Sequence, residues 1–394
     1  MELLDRIKIL MLYLFDKYKL LFIIIFVFIA SKSVYQSVVL SIHGSVDMQW
    51  YPATQYWGLG NFIHSINPYL ASLSGDTFMA QDPNYAPMLY VLMYPFALMD
   101  FENAKIFFAI FSVICFFGTM FLFYKKINLA FLLLVSIFVL FGYTFGNVIA
   151  NGQVAIILGF FLALGYMYRK NWLILTICLS ILFTKYSFGI PILIGFFLAG
   201  YIKEVIFAGI INLVFVILFA LQFDITIWES LILPLKVSSQ ATGVGPSDLM
   251  SLSRSLFDGS FFSFSNPFLW VITLIYCAYI WICLRIPPPP ARIIASSILL
   301  SLGTFYHLGY DQYMFFIAIL FAKFCLKSTY YSMCFLVILA LFFWIGSRIQ
   351  NFLPDGYHWA MNMGSIFCFV GSVMILISSF WLLFLDRNKK ELMK

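Results

Sequence analysis

Few side chains in this sequence are equipped for chemistry, and they are scattered along its length. Asp47 stands in Ser41-Ile42-His43-Gly44-Ser45-Val46-Asp47-Met48-Gln49-Trp50-Tyr51, ahead of an aromatic stretch that continues to Tyr56 and Trp57. A carboxylate in such a setting suits a general base acting on a hydroxyl, and equally suits a plain helix N-cap. Asn151-Gly152-Gln153 follows, where an Asn-Gly turn permits positive φ and close approach of backbone to a ligand. If Gln153 opens a helix, free N–H groups there favour an anion such as phosphate; the plainer reading is a tight turn. Lys185 is the one basic residue between Asn171 and Ile202, an otherwise apolar stretch. A lysine at membrane depth is costly and calls for a partner or a ligand, such as a phosphodiester, unless it snorkels to the headgroups. His307 and Asp311 lie four apart among Tyr306, Tyr310 and Tyr313, a set able to bind sugar hydroxyls or phosphate, or to make an ordinary loop hydrogen bond. No D-x-D, H-x-x-x-H or Cys/His cluster points to a metal, and no cofactor is expected.

Composition fixes what must position these groups. The 394 residues are 63% hydrophobic, 20% aromatic and only 10% charged, with mean hydropathy +0.97. A soluble chain of this size carries roughly 25% charged residues. The composition excludes a soluble enzyme, a disordered scaffold and a nucleic-acid binder, and implies a bilayer as partner. Seven Cys residues fall in apolar runs without a C-x-x-C pair, as expected of packing residues.

A span takes about 20 apolar residues. The hydropathy pattern predicts an all-α, polytopic membrane protein of about twelve transmembrane helices: 20–40, 103–124, 129–147, 152–168, 171–183, 187–202, 205–223, 267–285, 291–306, 311–326, 329–346 and 362–384. The segment 86–99, broken by Pro87 and Pro95, reads as an interfacial helix. With the N-terminus inside, 17 of the 23 basic residues fall on inner segments, as the positive-inside rule asks. This orientation makes both termini cytoplasmic and the loops 41–102 and 224–266 long outer loops, where function usually sits. The chain reads as one integral-membrane domain over 1–394. It divides into a seven-helix module (20–223), the outer loop 224–266 and a five-helix module (267–384).

The order of these features resembles the C-type membrane glycosyltransferases, and among them family 87, the polyprenyl-phosphate-mannose-dependent mannosyltransferases. The features are Asp47 past the first span, Asp82-Pro83-Asn84-Tyr85-Ala86-Pro87, Asn151-Gly152-Gln153, the lone Lys185 and a late His307, across residues 20–315. The chain departs from the family at Ala86-Pro87 in place of Pro-Pro, Tyr186 in place of Pro, and His307-Leu308 in place of His-His. The resemblance implies an inverting transferase that moves a hexose from a polyprenyl-phosphate donor to a lipid or glycan acceptor, on the outer face of a bacterial cytoplasmic membrane. Asp47 is then the catalytic base, with Lys185, Gln153, Asn151 and Gly152 at the donor phosphate. His307, Asp311, Trp50, Tyr51 and Arg254 are the candidate sugar or acceptor contacts. A lipid-linked glycan polymerase or ligase and a lipid or sugar transporter are the competing classes. The absence of an evident internal repeat disfavours the transporter.

Overall fold

A computed structural model describes residues 17–43, 48–57, 66–75, 82–240, 248–256, 264–325, 336–338, 340 and 359–384. Asp47 and most of the span expected at 329–346 lie outside the described residues. The described chain is helical, with no strand among the described residues. In order come α1 (Lys19–His43), α2 (Trp50–Trp57), α3 (Pro68–Leu73), α4 (Pro87–Ala97), α5 (Phe101–Tyr124), α6 (Leu129–Phe141), α7 (Tyr143–Ala150) and α8 (Ala155–Met167). There follow α9 (Trp172–Phe183), α10 (Tyr186–Leu198), α11 (Ile202–Gln222), α12 (Ile227–Gln240), α13 (Leu249–Leu256), α14 (Pro267–Arg285) and α15 (Pro290–Thr304). A 3-10 turn (Gly309–Tyr313), α16 (Met314–Cys325) and α17 (Trp359–Phe384) complete the set.

Short polar side chains start the long helices. Asp100 accepts from Asn103 N–H, Asn128 from Phe131, Asn171 from Leu173 and Ile174, and Asn266 from Phe268, each satisfying donors that a helix leaves open at its first turn. Among the described residues, four helices (α1, α5, α11 and α14) are long and apolar enough to cross a membrane. The expected straight span at 129–147 is instead two helices, α6 and α7, bent by 60°. Gly142 causes the break: it adopts an extended conformation, φ −67° and ψ 160°, which ends one helix and begins the next.

Other expected spans appear as shorter apolar helices, α8, α9, α10, α15 and the 373–384 part of α17. At 1.5 Å per residue, the 13 residues of α10 reach only about 20 Å against a hydrocarbon layer of ~30 Å. The segment expected to lie in the interface is the 11-residue α4, also too short to cross.

The core runs through both halves of the chain. α15 packs against α10, α16 and α17, and every residue from Ala291 to Thr304 is buried. Several connections between helices converge on one end of this bundle: Met48 N–H donates to Asn151 C=O at 3.2 Å, and Ala86 N–H to Thr184 C=O at 2.8 Å.

Candidate functional site

Lys185 sits between α9 and α10, in an extended conformation at the N-cap of α10. Gly189 lets the two helices close tightly there, because a Cβ would stand 2.7 Å from Phe183 Cα. The Lys185 ammonium meets Asp311 Oδ1 at 2.6 Å, with the two side chains only 7% and 3% exposed. Around it stand the rings of Phe188 at 5.4 Å, Tyr310 at 5.6 Å and Tyr85 at 5.7 Å from Nζ to centroid. Aromatic faces attract a cation, so the lysine has both a counter-ion and a cage.

Asp311 is held from a second side. Its Oδ2 lies 3.3 Å from His307 Nδ1 and accepts weakly from Leu308 N–H at 3.4 Å. His307 is 1% exposed, stacks on Phe188 at 4.2 Å between centroids, and places Nε2 at 3.1 Å from Ser301 Oγ. Its backbone N–H points to Asp248 Oδ2 at 3.4 Å. Burial holds the His307 imidazole below its ordinary value, although Asp311 beside it pulls upward. The His–Asp spacing therefore makes a buried chain, Ser301–His307–Asp311–Lys185, with the histidine behind the carboxylate.

Tyr85 links this chain to the Asn151-Gly152-Gln153 turn, donating its hydroxyl to Gln153 Oε1 at 2.8 Å. Burial, with Asp311 nearby, pushes the Tyr85 phenol well above its usual range, so it remains a donor. Gln153 does not open a helix: α8 starts at Ala155, and Gln153 N–H is already bonded to Val148 C=O at 2.8 Å. Free N–H groups at Gln153 are thus not offered to an anion. Gly152 has φ +60°, and a Cβ there would collide with the Met48 side chain. Asn151 gives its side-chain amide to Asn147 Oδ1 at 2.9 Å.

The turn thereby grips the segment that follows Asp47. Trp50 is fully buried and donates its indole N–H to Gly152 C=O at 2.8 Å, while Tyr51 donates to Met99 C=O at 2.8 Å. The polar atoms of both aromatic residues are engaged inside the protein. Arg254 lies on α13, and its side chain is outside the described residues.

A narrow cleft opens at the ion pair, lined by Asn84, Lys185, Tyr186, Ser187, Tyr310 and Asp311 among others. Its free volume is about 40 Å³, room for two or three waters, so a larger ligand must displace side chains. Beside it, an all-apolar groove of about 440 Å³ runs between α10, α11 and α14, from Phe183 past Leu193 and Phe197 to Leu284. Ile190 lines both.

No protein-family model, curated protein or solved structure matches this chain.

Three site residues escaped the sequence reading. Asn84 and Tyr85 were legible only as part of a Pro-flanked turn, and Tyr186 only as a residue beside Lys185. The available signal was the aromatic and amide character of a segment that Pro83 and Pro87 hold out of helix.

Proposed function

We propose that this protein transfers a sugar from a lipid-phosphate donor to a lipid or glycan acceptor. The observation that carries the reading is the junction at Ile190, where a caged, buried ammonium adjoins a groove lined only by apolar side chains. An amphiphilic anion matches both parts: phosphate at Lys185 and a hydrocarbon chain along α10. Asp311 holds the ammonium until the phosphate takes over, and then stays bonded to His307 and Leu308 N–H. Asp47 is the proposed base. It takes the proton of an acceptor hydroxyl, whose oxygen attacks the anomeric carbon with inversion. The bond from that carbon to the phosphate oxygen breaks, and the electron pair leaves with the phosphate, facing Lys185.

The grip of the Asn151–Gly152 turn on Met48 and Trp50 supports this, because it ties the residues just after Asp47 to the element that Tyr85 joins to the lysine. The distribution of basic residues favours the outer leaflet of a bacterial cytoplasmic membrane, with both termini inside. The 20 Å reach of α10 then sets Lys185 below the outer interface, inside the hydrocarbon depth where an unpaired charge is costly. The test is to incubate purified protein with polyprenyl-phosphate hexoses and extracted membrane lipids, and to follow products by mass. A new glycolipid that requires Lys185 is expected; hexose donors left unchanged with every acceptor would sink the proposal.

A further inference from the structure

Two buried polar atoms beside the ion pair have no hydrogen-bond partner among the described residues. The Tyr186 hydroxyl is buried, on a side chain 6% exposed, and has no hydrogen-bond partner among the described residues. Asn84 Oδ1 is buried and without a partner in the same sense. Both residues line the cleft that contains Lys185 and Asp311. Buried polar atoms are normally paired, and leaving one bare is costly, so such atoms at a cleft mark groups kept for a ligand.

Their chemistry narrows that ligand. A fully ionised phosphate or a phosphodiester satisfies the Lys185 ammonium, but its oxygens only accept hydrogen bonds. Asn84 Oδ1 also only accepts, so an ionised phosphate oxygen cannot satisfy it. It needs a donor, and the Tyr186 hydroxyl can both give and take one. A ligand that brings O–H groups together with its anion satisfies all three groups at once. That is a polyol phosphate, either free or as the headgroup of a lipid.

We infer that Asn84 and Tyr186 determine specificity by binding hydroxyls of a sugar whose phosphate meets Lys185. This rests on the reading of Lys185 as the anion's partner. Tyr186 also stands where the resembling family has proline, so its hydroxyl is a feature of this chain.

The test measures binding of four probes to the full chain in nanodiscs: inorganic phosphate, mannose 1-phosphate, decaprenyl phosphate and decaprenyl-phosphate mannose. The parent should prefer each glycosylated probe to its bare counterpart by about tenfold, the size of one or two hydrogen bonds. Tyr186→Phe and Asn84→Ala should each reduce that preference several-fold and leave the bare phosphates bound as before. Tyr186→Phe should leave thermal stability unchanged or raised, since the hydroxyl it removes has no partner among the described residues.

A preference for mannose 1-phosphate that Tyr186→Phe abolishes upholds the inference even if neither lipid binds, in which case the lipid-donor reading falls alone. Lipid binding with no preference for the sugar, or a preference untouched by both variants, overturns the inference and leaves the lipid reading standing. A Tyr186→Phe protein less stable than the parent also overturns it, because the hydroxyl then has a structural partner. Binding of none of the four probes overturns both.

Discussion

Replacing Asp311 with Asn strands the Lys185 ammonium in a pocket where only 7% of its side chain reaches the surface. Breaking a buried ion pair from one side typically costs about 3–5 kcal/mol, because the remaining charge has lost its solvent and its partner. Two features set this case toward the lower end. The rings of Tyr85, Phe188 and Tyr310 still face the ammonium at 5.4–5.7 Å, and Asn keeps one acceptor oxygen near the position of Oδ1. We expect a loss of about 3 kcal/mol for Asp311→Asn. Lys185→Met should lose a similar amount, since Asp311 then retains His307 at 3.3 Å and one weak N–H contact.

Removing both charges should cost less than the sum of the single changes, because no buried charge is left unpaired, although His307 and Leu308 N–H lose their acceptor at about 1–3 kcal/mol. The measurement is a double-mutant cycle of Lys185→Met and Asp311→Leu, read by reversible unfolding in detergent micelles. Single replacements costing under about 1 kcal/mol, or a double replacement worse than their sum, would refute the claim that these two charges depend on each other.

Asp47→Asn should bind donor like the parent but turn over about 10²–10⁴-fold slower, the usual range for a lost general base; near-parental turnover at saturating donor moves the base elsewhere. Gly152→Ala forces a Cβ into the Met48 side chain and a non-glycine residue to φ +60°, so roughly 2–4 kcal/mol of stability should be lost in chemical denaturation. An unchanged midpoint would show that the turn does not grip Met48. His307 has a folded-state value below the ordinary 6.5, so the unfolded chain takes up the proton first. Its contribution is constant above that value, and stability falls as pH drops below it. His307→Gln should flatten the slope measured over roughly pH 5 to 8, and an identical slope in the variant refutes the assignment. A Ser74→Cys protein in intact cells should react with a membrane-impermeant thiol reagent; labelling only after lysis would reverse the orientation.

The sequence made the apolar class, the helical content and the chemical oddity of Lys185 readable, because composition and hydropathy are local properties. It did not reveal that Asp311 answers Lys185 across 126 positions, since such a pairing exists only once α10 and α15 pack together. The bend within 129–147 was missed for a related reason. Hydropathy reports where a segment is apolar, whereas the extended backbone at Gly142 decides where α6 stops. Gln153 shows the same limit: its position after Asn-Gly suggested a helix start, but its N–H is already bonded to Val148. Trp50 and Tyr51 invite a sugar-binding reading by residue type, yet their polar atoms bond to Gly152 and Met99.

The burial of α15 on all sides has a consequence for how the protein is made. This helix carries Ser296, Ser297, Ser301 and Thr304, and Ser296 exchanges hydrogen bonds with Ser379 of α17 at 2.8 and 2.9 Å. Synthesis runs from the N-terminus, so α15 leaves the ribosome some 80 residues before the partner of Ser296 exists. During that interval Ser297, Ser301 and Thr304 can already meet Tyr279, Ser187 C=O and Tyr276, which precede them, but Ser296 lacks its partner in a solvent that offers neither donor nor acceptor. A nascent chain halted in this window leaves Ser296 and the face of α15 that α17 covers without their native cover. Arrival of α17 closes that surface, so the packing around α15 is completed only late in synthesis.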